Sequence, residues 1–436
     1  MVAEARSSSR ANPSSVTKYS AMAQSGTSSL AEKIAFTNPG FAVFLTARWF
    51  IVACLEMQSV AVAWQIYQIT HRMRDLGFIG PAQFVPGILL FLVSGHTVDR
   101  FNRRGILFAC YAGFTLCAAL LFWISAHGVH SVRWIYAVII LLGVVRSFNF
   151  PATRAIIPEI VPEEHLPNAI AWASTTFQSA TILGPSIGGV IYAISKGPLG
   201  VYATSIALSA AAMFSILGVN PVTKPRPREP VSMKTVLAGL HYIWRKKIIL
   251  GSISLDLFAV LLGGAVALLP AYALDILKTG PCGLGLLRCA PGIGAAAMAI
   301  FLAYRPLRKR PGATMFLCVA GYGVFTILFG LSHNLYLSMA ALVLVGASDM
   351  VSVVIRGVLI QIATPDEMRG RVNAVDMVFI GASNQLGEAE SGFTGDLFGT
   401  VSAIVPGGVG ALLVAALWAY AFPELRRVDQ LTSPEG

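Results

Sequence analysis

Carboxylic acids inside apolar stretches are the residues of this sequence that could do chemistry. Glu56 and Asp256 each stand within such a stretch, where an ionised side chain is unfavourable unless it faces protein or water. A carboxyl group in this setting can bind and release a proton. We rank Glu56 first and Asp256 second for this role. The reserve candidates share the same setting: Asp349, Asp376, Glu388 and Glu390.

Arg146 is a cation in the same kind of apolar setting. An arginine there generally needs a carboxylate partner, and we expect Glu56 to be that partner if both side chains face one cavity. The guanidinium would then influence when the carboxyl group binds a proton. The alternatives are a purely structural ion pair, or an arginine whose long side chain extends outward to water.

Polar and aromatic side chains close to Glu56 could line a cavity for an aromatic substrate. They are Gln58, Trp64, Gln65 and Tyr67. The alternative is that they form interfacial belts or contacts between helices. The histidines show no metal-ligand spacing and no phosphate-binding P-loop pattern occurs, so we expect neither a metal nor a cofactor.

The composition excludes a soluble protein. Of the 436 residues, 55% are hydrophobic and only 12% are charged, whereas a soluble domain carries about 25% charged residues. The net charge is +11, but no basic face interleaved with aromatic residues indicates a nucleic-acid partner. The expected surroundings are a lipid bilayer.

Apolar runs long enough to cross a bilayer follow one another along the chain, since one crossing takes about 20 helical residues. None shows the alternation typical of a β-barrel. The twelve runs lie at 41–69, 76–95, 105–126, 134–151, 169–194, 201–219, 248–274, 283–303, 313–331, 336–360, 373–394 and 402–422. The predicted fold class is an all-α membrane protein with about twelve transmembrane helices.

A stretch rich in proline and charge, 220–247, divides these runs six and six. We interpret it as a cytoplasmic linker between an N-terminal bundle, 41–219, and a C-terminal bundle, 248–422. Residues 1–40 are polar and are predicted to be a disordered tail. Residues 423–436 are predicted to form a second cytoplasmic tail.

Lysine and arginine are distributed unequally between the two sides of the predicted membrane. With the N-terminus taken as cytoplasmic, 24 of the 32 basic residues fall on that side and five on the other. Cytoplasmic loops carry the excess of basic residues, so both termini are predicted to be cytoplasmic. We expect a multi-pass protein of the plasma membrane, which is the inner membrane of a Gram-negative cell.

The two halves resemble each other in sequence. A shift of 205 residues places Tyr67 on Tyr272 and Arg100 on Arg305, and a slightly different shift places Gly189 on Gly392. Such a register indicates an internal repeat. Two halves of like orientation are typical of secondary transporters that bind cargo near the middle of the membrane.

The loop after the second run holds one carboxylate and several arginines at fixed spacing. Its candidate gating residues are Gly95, Asp99, Arg100, Arg103 and Arg104. Such a loop can pair charges between the halves in one conformer and release them in another. The alternative is a plain cluster of basic residues that only sets topology.

The fifth run contains small residues around a proline: Gly184, Pro185, Gly188 and Gly189. Small side chains let helix backbones approach closely, and proline bends the helix. Ordinary small-residue packing is the alternative explanation of this pattern.

These motifs together resemble those of the major facilitator superfamily. Residues 95–104 match its loop pattern G-x-x-x-D-R-x-x-R-R, and residues 180–189 are similar to its antiporter signature G-x-x-x-G-P-x-x-G-G, with alanine at the first glycine. Stretches 151–169 and 267–273 resemble its enterobactin-exporter and macrolide-efflux branch. The resemblance implies two six-helix bundles and proton-driven export of siderophores or hydrophobic drugs.

We therefore expect a proton-coupled secondary exporter, an antiporter of a small molecule, that acts by alternating access. Its expected partners are lipid, protons and the small molecule, and we expect a monomer. The alternatives are an uptake carrier, a uniporter or a receptor of the same fold. An enzyme would need a nucleophile or metal set, and the sequence offers none.

The topology can be tested with single cysteines placed within 225–230 and at position 430. Both should resist labelling from outside the cell and react after permeabilisation, because the basic residues concentrate on the side of the two termini. Labelling of either site from outside would contradict the predicted orientation.

Overall fold

The computed structural model describes residues 39–128, 131–220, 233–305, 307 and 310–428. Every regular element in these ranges is a helix. Nearly all of the predicted N-terminal tail, residues 221–232 of the linker and residues 429–436 of the C-terminal tail lie outside the described residues.

The helices described before residue 220 are mostly apolar, as the runs in the sequence predict. They are α1 (Pro39–Thr70), α2 (Met73–Gly77), α3 (Ile79–Leu89), α4 (Phe91–Arg100), α5 (Arg103–Ala126), α6 (Val132–Ile160), α7 (Leu166–Ile194) and α8 (Pro198–Ile216). The Asn102 side chain begins α5 by accepting a hydrogen bond from the Arg104 N–H, at 3.0 Å, as an N-cap residue does. Below, the N-terminal half means these helices.

The C-terminal half begins with a short amphipathic helix and continues with longer apolar ones. Its helices are α9 (Met233–Arg245), α10 (Lys247–Leu262), α11 (Leu269–Ala271), α12 (Pro281–Tyr304), α13 (Pro311–Leu331), α14 (Leu335–Ala363), α15 (Asp366–Phe398), α16 (Thr400–Ala421) and α17 (Pro423–Arg426). A 3-10 turn, Ala265–Leu268, and a π-helical turn, Tyr272–Ile276, flank α11.

The membrane-spanning capacity agrees with the predicted runs, with two differences. In the described part of the chain, ten helical segments are long and apolar enough to cross a membrane. The second run is broken, because Met73–Leu89 and Val93–Arg100 meet at an angle of 57°. The eleventh run forms α15, which has 33 residues but a low mean apolarity because charged and polar side chains interrupt it.

The helix order gives the bundle two ends. We call one the linker side, which carries the connections α4–α5, α6–α7, α8–α10, α12–α13 and α14–α15. We call the other the far side, which carries the connections α1–α2, α5–α6, α7–α8, α13–α14 and α15–α16 and the residues that lead into α12.

A glycine contact joins the halves on the far side, between α7 and α12. A Cβ atom added at Gly189 would lie 2.5 Å from the carbonyl oxygen of Pro281. One added at Gly285 would lie 2.6 Å from the carbonyl oxygen of Pro185. Any larger residue at either position would force the two helices apart.

A second glycine contact joins the halves between α2 and α15, also on the far side. A Cβ atom added at Gly392 would lie 2.5 Å from the Cα atom of Gly77. Gly392 is the position that the sequence repeat aligns with Gly189. The two contacts therefore correspond to each other. The N-terminal half contributes α7 to one of them, and the C-terminal half contributes α15 to the other.

Polar side chains reinforce this closure at its outer edge. The Tyr67 hydroxyl of α1 donates a hydrogen bond to Asp275 of the C-terminal half. Arg74 and Asp396 form an ion pair at 3.7 Å between α2 and α15. A buried apolar core also extends from the N-terminal half into the far-side ends of α12, α13, α14 and α16. The two halves are thus tightly packed on the far side.

Candidate functional site

A cavity of about 250 Å³ lies between the two halves. Helices α1, α3, α5, α6 and α7 of the N-terminal half line it, together with α12, α15 and the 3-10 turn of the C-terminal half. The packed far side covers one end of it. A pocket of mixed polarity at the junction of two halves is a common place for a ligand to bind.

Four charged side chains line this cavity, two from each half. The N-terminal half contributes Glu56 and Arg146, and the C-terminal half contributes Arg288 and Glu388. Each half therefore supplies one carboxylate and one guanidinium. Glu56 interacts electrostatically with both arginines, and so does Glu388.

The structure does not form the predicted ion pair between Arg146 and Glu56, although the two side chains are close enough to interact electrostatically. Among the described residues, no ion pair of 4.0 Å or less joins the four charges of the cavity. Arg146 instead donates a hydrogen bond to the Gln83 Oε1 atom at 2.8 Å. Arg288 donates one to the Ser59 hydroxyl, across the boundary between the halves. Neutral groups hold the guanidinium groups in place, and the carboxylates stand nearby.

The predicted antiporter motif positions Glu56. A Cβ atom added at Gly184 would lie 2.6 Å from the Glu56 Cβ atom. One added at Gly188 would lie 2.9 Å from the Cα atom of Met57. Pro185 lines the cavity beside them. The glycines of α7 therefore let α1 come close enough for Glu56 to face the cavity.

Gly80 of α3 performs the corresponding task for Glu388. A Cβ atom added there would lie 2.5 Å from the Glu388 Oε2 atom and 2.4 Å from the Gln385 Oε1 atom. Both side chains of α15 thus occupy the space that a larger residue would fill. The Glu388 carboxyl group is held against the N-terminal half.

Several polar atoms of the cavity wall are buried without a hydrogen-bond partner among the described residues. They are Gln58 Oε1, Thr181 Oγ1 and Arg288 Nε. Buried polar atoms normally have a hydrogen-bond partner, so we expect these atoms to bind water or a ligand. The wall can therefore accept and donate hydrogen bonds to a bound molecule and also offers both signs of charge.

One of the four predicted cavity candidates of α1 lines this cavity, namely Gln58. Trp64 is buried against the Tyr192 ring at 6.5 Å, and Gln65 bonds to Tyr202 at 2.7 Å. Tyr67 lies in the far-side closure. These three residues face other helices, because α1 is packed on most of its circumference.

A second charged cluster lies inside the C-terminal half. Arg356 forms ion pairs with Asp256 and, at 3.5 Å, with Asp376. Asp349 interacts electrostatically with Asp256 and Arg356. The cavity wall includes none of these three aspartates, although the sequence analysis placed Asp256, Asp349 and Asp376 among the candidates for proton binding.

Glu390 also lies outside the cavity. It is exposed and accepts a hydrogen bond from the Thr394 hydroxyl at 2.9 Å. It is two residues from Glu388, and such neighbours point in different directions on a helix.

The loop motif has its described contacts within the N-terminal half. Arg103 pairs with Glu159 of α6 at 3.3 Å. Arg104 binds Asn220 at 3.1 Å and the Leu217 carbonyl oxygen beyond the end of α8. Asp99 and Arg100 are exposed, and open space surrounds Gly95. The motif therefore ties three helix ends together on the linker side.

Sequence reasoning missed part of the cavity wall. Arg288 was visible as an arginine within an apolar run, which is the signal that selected Arg146. The neutral members Ser59, Gln83, Thr181 and Gln385 gave no such signal, because a single polar residue in an apolar run is common in packed helices. Among the described residues, no group of three or more His, Cys, Asp or Glu side chains is arranged to hold a metal ion.

Arg356→Met tests the second cluster. Removal of the guanidinium leaves Asp256 and Asp376 buried without their cation, which typically destabilises a protein by about 3–5 kcal/mol. We expect a clear loss of thermal stability of the purified protein, measured by scanning fluorimetry, and recovery when both aspartates are also replaced by Asn. Arg245→Met, at an exposed position, is the matched control. An Arg356→Met variant as stable as the wild type would contradict this assignment.

The sequence is similar to a family of membrane transporters and to an exporter of known cargo. Residues 29–435 match the family described as transmembrane secretion effector. The enterobactin exporter EntS of Escherichia coli O1:K1 is 28% identical over 410 residues, which cover 92% of this chain and 95% of EntS.

Solved structures show the same fold at low sequence identity. An inward-facing, occupied bacterial homologue of the human lysosomal transporter Spinster superposes with a TM-score of 0.69 at 13% identity, over 91% of this chain and 99% of that one. An inward-facing bacterial homologue of the iron transporter ferroportin gives a TM-score of 0.67 at 15% identity, over 88% and 98%. The chain therefore belongs to the transmembrane secretion effector family of the major facilitator superfamily, and it is a secondary transporter and not an enzyme.

Proposed function

We propose that this protein is a proton-coupled exporter that carries a small molecule outward in exchange for protons. The observation that supports this most is the meeting of Glu56, Arg146, Arg288 and Glu388 in one cavity between the halves. Ionisable groups inside a membrane protein are costly and mark ion or proton pathways. The likeness to an enterobactin exporter favours the outward direction and a siderophore or similar cargo.

The proposed domain arrangement follows the linker. The N-terminal bundle, 41–219, and the C-terminal bundle, 248–422, would move as two bodies, joined by the linker 220–247. The tails 1–40 and 423–436 would lie on the linker side with it. The surplus of basic residues on that side supports its placement in the cytoplasm. The described conformation would then be closed to the outside, with its cavity open to the cytoplasm.

The proposed cycle uses the balance of charges in the cavity. Cargo enters from the cytoplasm and the halves rock, so that the far side opens and the cargo leaves. A proton from outside then neutralises Glu56 or Glu388, which changes how strongly the carboxylates attract the two arginines. Protonation thereby favours the return to the conformer closed on the far side. Release of the proton into the cytoplasm completes the exchange.

The loop motif supports a gating role in this cycle. Asp99 and Arg100 are free to contact the C-terminal half when the linker side closes, since both are exposed in the present conformer. Arg103 and Arg104 hold the loop to its own half. Asp256 stays the second candidate for the coupling carboxyl group, with Asp349, Asp376 and Glu390 behind it.

Glu56→Gln tests the coupling. The variant keeps the shape of the side chain and carries no titratable group, so it should behave as the protonated form. In proteoliposomes with enterobactin as the probe, we expect uptake driven by a pH gradient to fall by about tenfold or more, a change of about 1.4 kcal/mol or more in the barrier. Cargo exchange without a gradient should continue, because it needs no proton.

Two further variants serve as controls for the Glu56→Gln experiment. Glu56→Asp keeps a titratable group and should retain part of the coupled transport. Glu424→Gln removes an exposed carboxylate of α17 and should change nothing. If Glu56→Gln concentrates cargo with unchanged pH dependence, Glu56 is structural. A uniporter would show no pH dependence even in the wild type, and a receptor would bind cargo without moving it.

A further inference from the structure

Two arginines of the N-terminal half lie against aromatic rings on the linker side of the cavity. The guanidinium carbon of Arg48 is 5.7 Å from the centre of the Phe177 ring. That of Arg154 is 4.5 Å from the centre of the Phe150 ring. These distances are typical of cation–π contacts. We call these four side chains the vestibule cluster.

The vestibule cluster continues the cavity wall toward the linker side. Arg48 precedes the cavity residue Leu55 by seven residues, and Phe177 precedes the cavity residue Thr181 by four. Phe150 follows Arg146 by four residues. Residues four or seven apart share one face of a helix. All three helices therefore present the cluster on the side that faces the cavity.

A contact between the halves confirms this placement for Arg154. Its Nη1 atom lies 3.2 Å from the Sδ atom of Met377 in α15. Met377 precedes the cavity residue Glu388 by eleven residues, which is about three helical turns. The Arg154 side chain thus lies in the gap between the halves and not in lipid.

The two arginines have no carboxylate partner in the part of the chain that the structure describes. The ion pairs of 4.0 Å or less there involve other residues. Arg48 and Arg154 repel each other electrostatically, and the buried Arg48 Nε atom has no hydrogen-bond partner. By contrast, Arg356 is paired with two aspartates. Two adjacent guanidinium groups without counter-charge form a site for an anion.

The exposed faces of Phe150 and Phe177 favour an anion that itself contains an aromatic ring. Phe150 is 57% exposed and Phe177 is 41% exposed. Each ring therefore has surface free for a second contact, and aromatic ligands stack on such surface. An ion that combines anionic oxygens with a flat ring would satisfy the arginines and the phenylalanines together.

We propose that the vestibule cluster is an entry site for aromatic anions, that is, a carboxylate or phenolate attached to an aromatic ring. Carboxylate or phenolate oxygens bind Arg48 and Arg154, and the ring stacks on Phe150 or Phe177. The site rests on the proposed function in one respect, namely that cargo enters from the linker side. Arg48 precedes Glu56 by eight residues, about 12 Å along the helix, so binding here is distinct from proton binding in the cavity.

The test is calorimetric binding to the purified full-length protein, with no pH gradient. The probe is 2-naphthoate, and its matched controls are 2-naphthalenemethanol, which lacks the charge, and cyclohexanecarboxylate, which lacks the aromatic ring. We expect 2-naphthoate to bind about tenfold tighter than either control, a difference of about 1.4 kcal/mol. Added salt should weaken its binding.

Variants assign the binding to the cluster. Arg48→Gln and Arg154→Gln should each weaken 2-naphthoate binding by about tenfold, and Phe150→Leu and Phe177→Leu should reduce its advantage over cyclohexanecarboxylate. Arg133→Gln, an exposed arginine of the far side, is the matched control. If a glutamine variant does not fold, the corresponding lysine variant keeps the charge without the planar fork and should bind with intermediate affinity.

Three results would overturn the proposal. They are equal binding of 2-naphthoate and its alcohol, equal binding of 2-naphthoate and cyclohexanecarboxylate, and binding that the cluster variants leave unchanged. Equal binding of the two carboxylates would mean that the site recognises only negative charge, as a site for a lipid phosphate group would. Failure of proton coupling in Glu56→Gln experiments would leave these binding results intact, so the two proposals fail separately.

Discussion

The close approach of helices at glycine positions determines how the two halves of this protein meet. Gly189 and Gly285 allow α7 and α12 to touch, and Gly77 and Gly392 allow the same for α2 and α15. These contacts close the far side and leave the cavity beneath it. Gly184, in the same motif, sets α1 close enough for Glu56 to face that cavity. Small residues thus do what a hydrophobic core does in a soluble protein, since lipid gives helices little reason to associate.

The charges of the cavity are balanced, and among the described residues no direct ion pair joins them. Each half brings one carboxylate and one guanidinium, and neutral partners, Gln83 and Ser59, hold the arginines. A tightly bonded ion pair would resist separation when the halves move. The Arg356 cluster, with its two direct ion pairs, is the contrasting case inside one half. That cluster lies within one bundle, whereas the cavity charges come from both halves.

Much of this could be predicted from the sequence, because a polar residue in an apolar run is conspicuous. Glu56, Arg146 and Glu388 were found that way, and the family motifs predicted the fold class. The face of a helix that meets the other half is a property of tertiary packing. Trp64 and Gln65 therefore appeared equivalent to Gln58, and Asp256 appeared equivalent to Glu56 until Arg356 was placed beside it. Arg288, like Arg146, is an arginine in an apolar run. Its place in the cavity became evident only once the packing of the two halves was known.

We propose that the halves rock about this cavity and that protonation of a cavity carboxylate sets the balance between the two conformers. Spin labels at Lys196 and Lys278 report the far side, and labels at Glu164 and Glu367 report the linker side; distances between them can be measured by double electron–electron resonance. From about pH 5.5 to about pH 8.5, a range in which carboxyl groups removed from water can lose their proton, the far-side distance should lengthen while the linker-side distance shortens. Glu56→Gln should shift both distance distributions toward the conformer closed on the far side and remove their dependence on pH. Distances that stay constant, or that change in the same direction on both sides, would show that protonation does not drive a rocking of the halves.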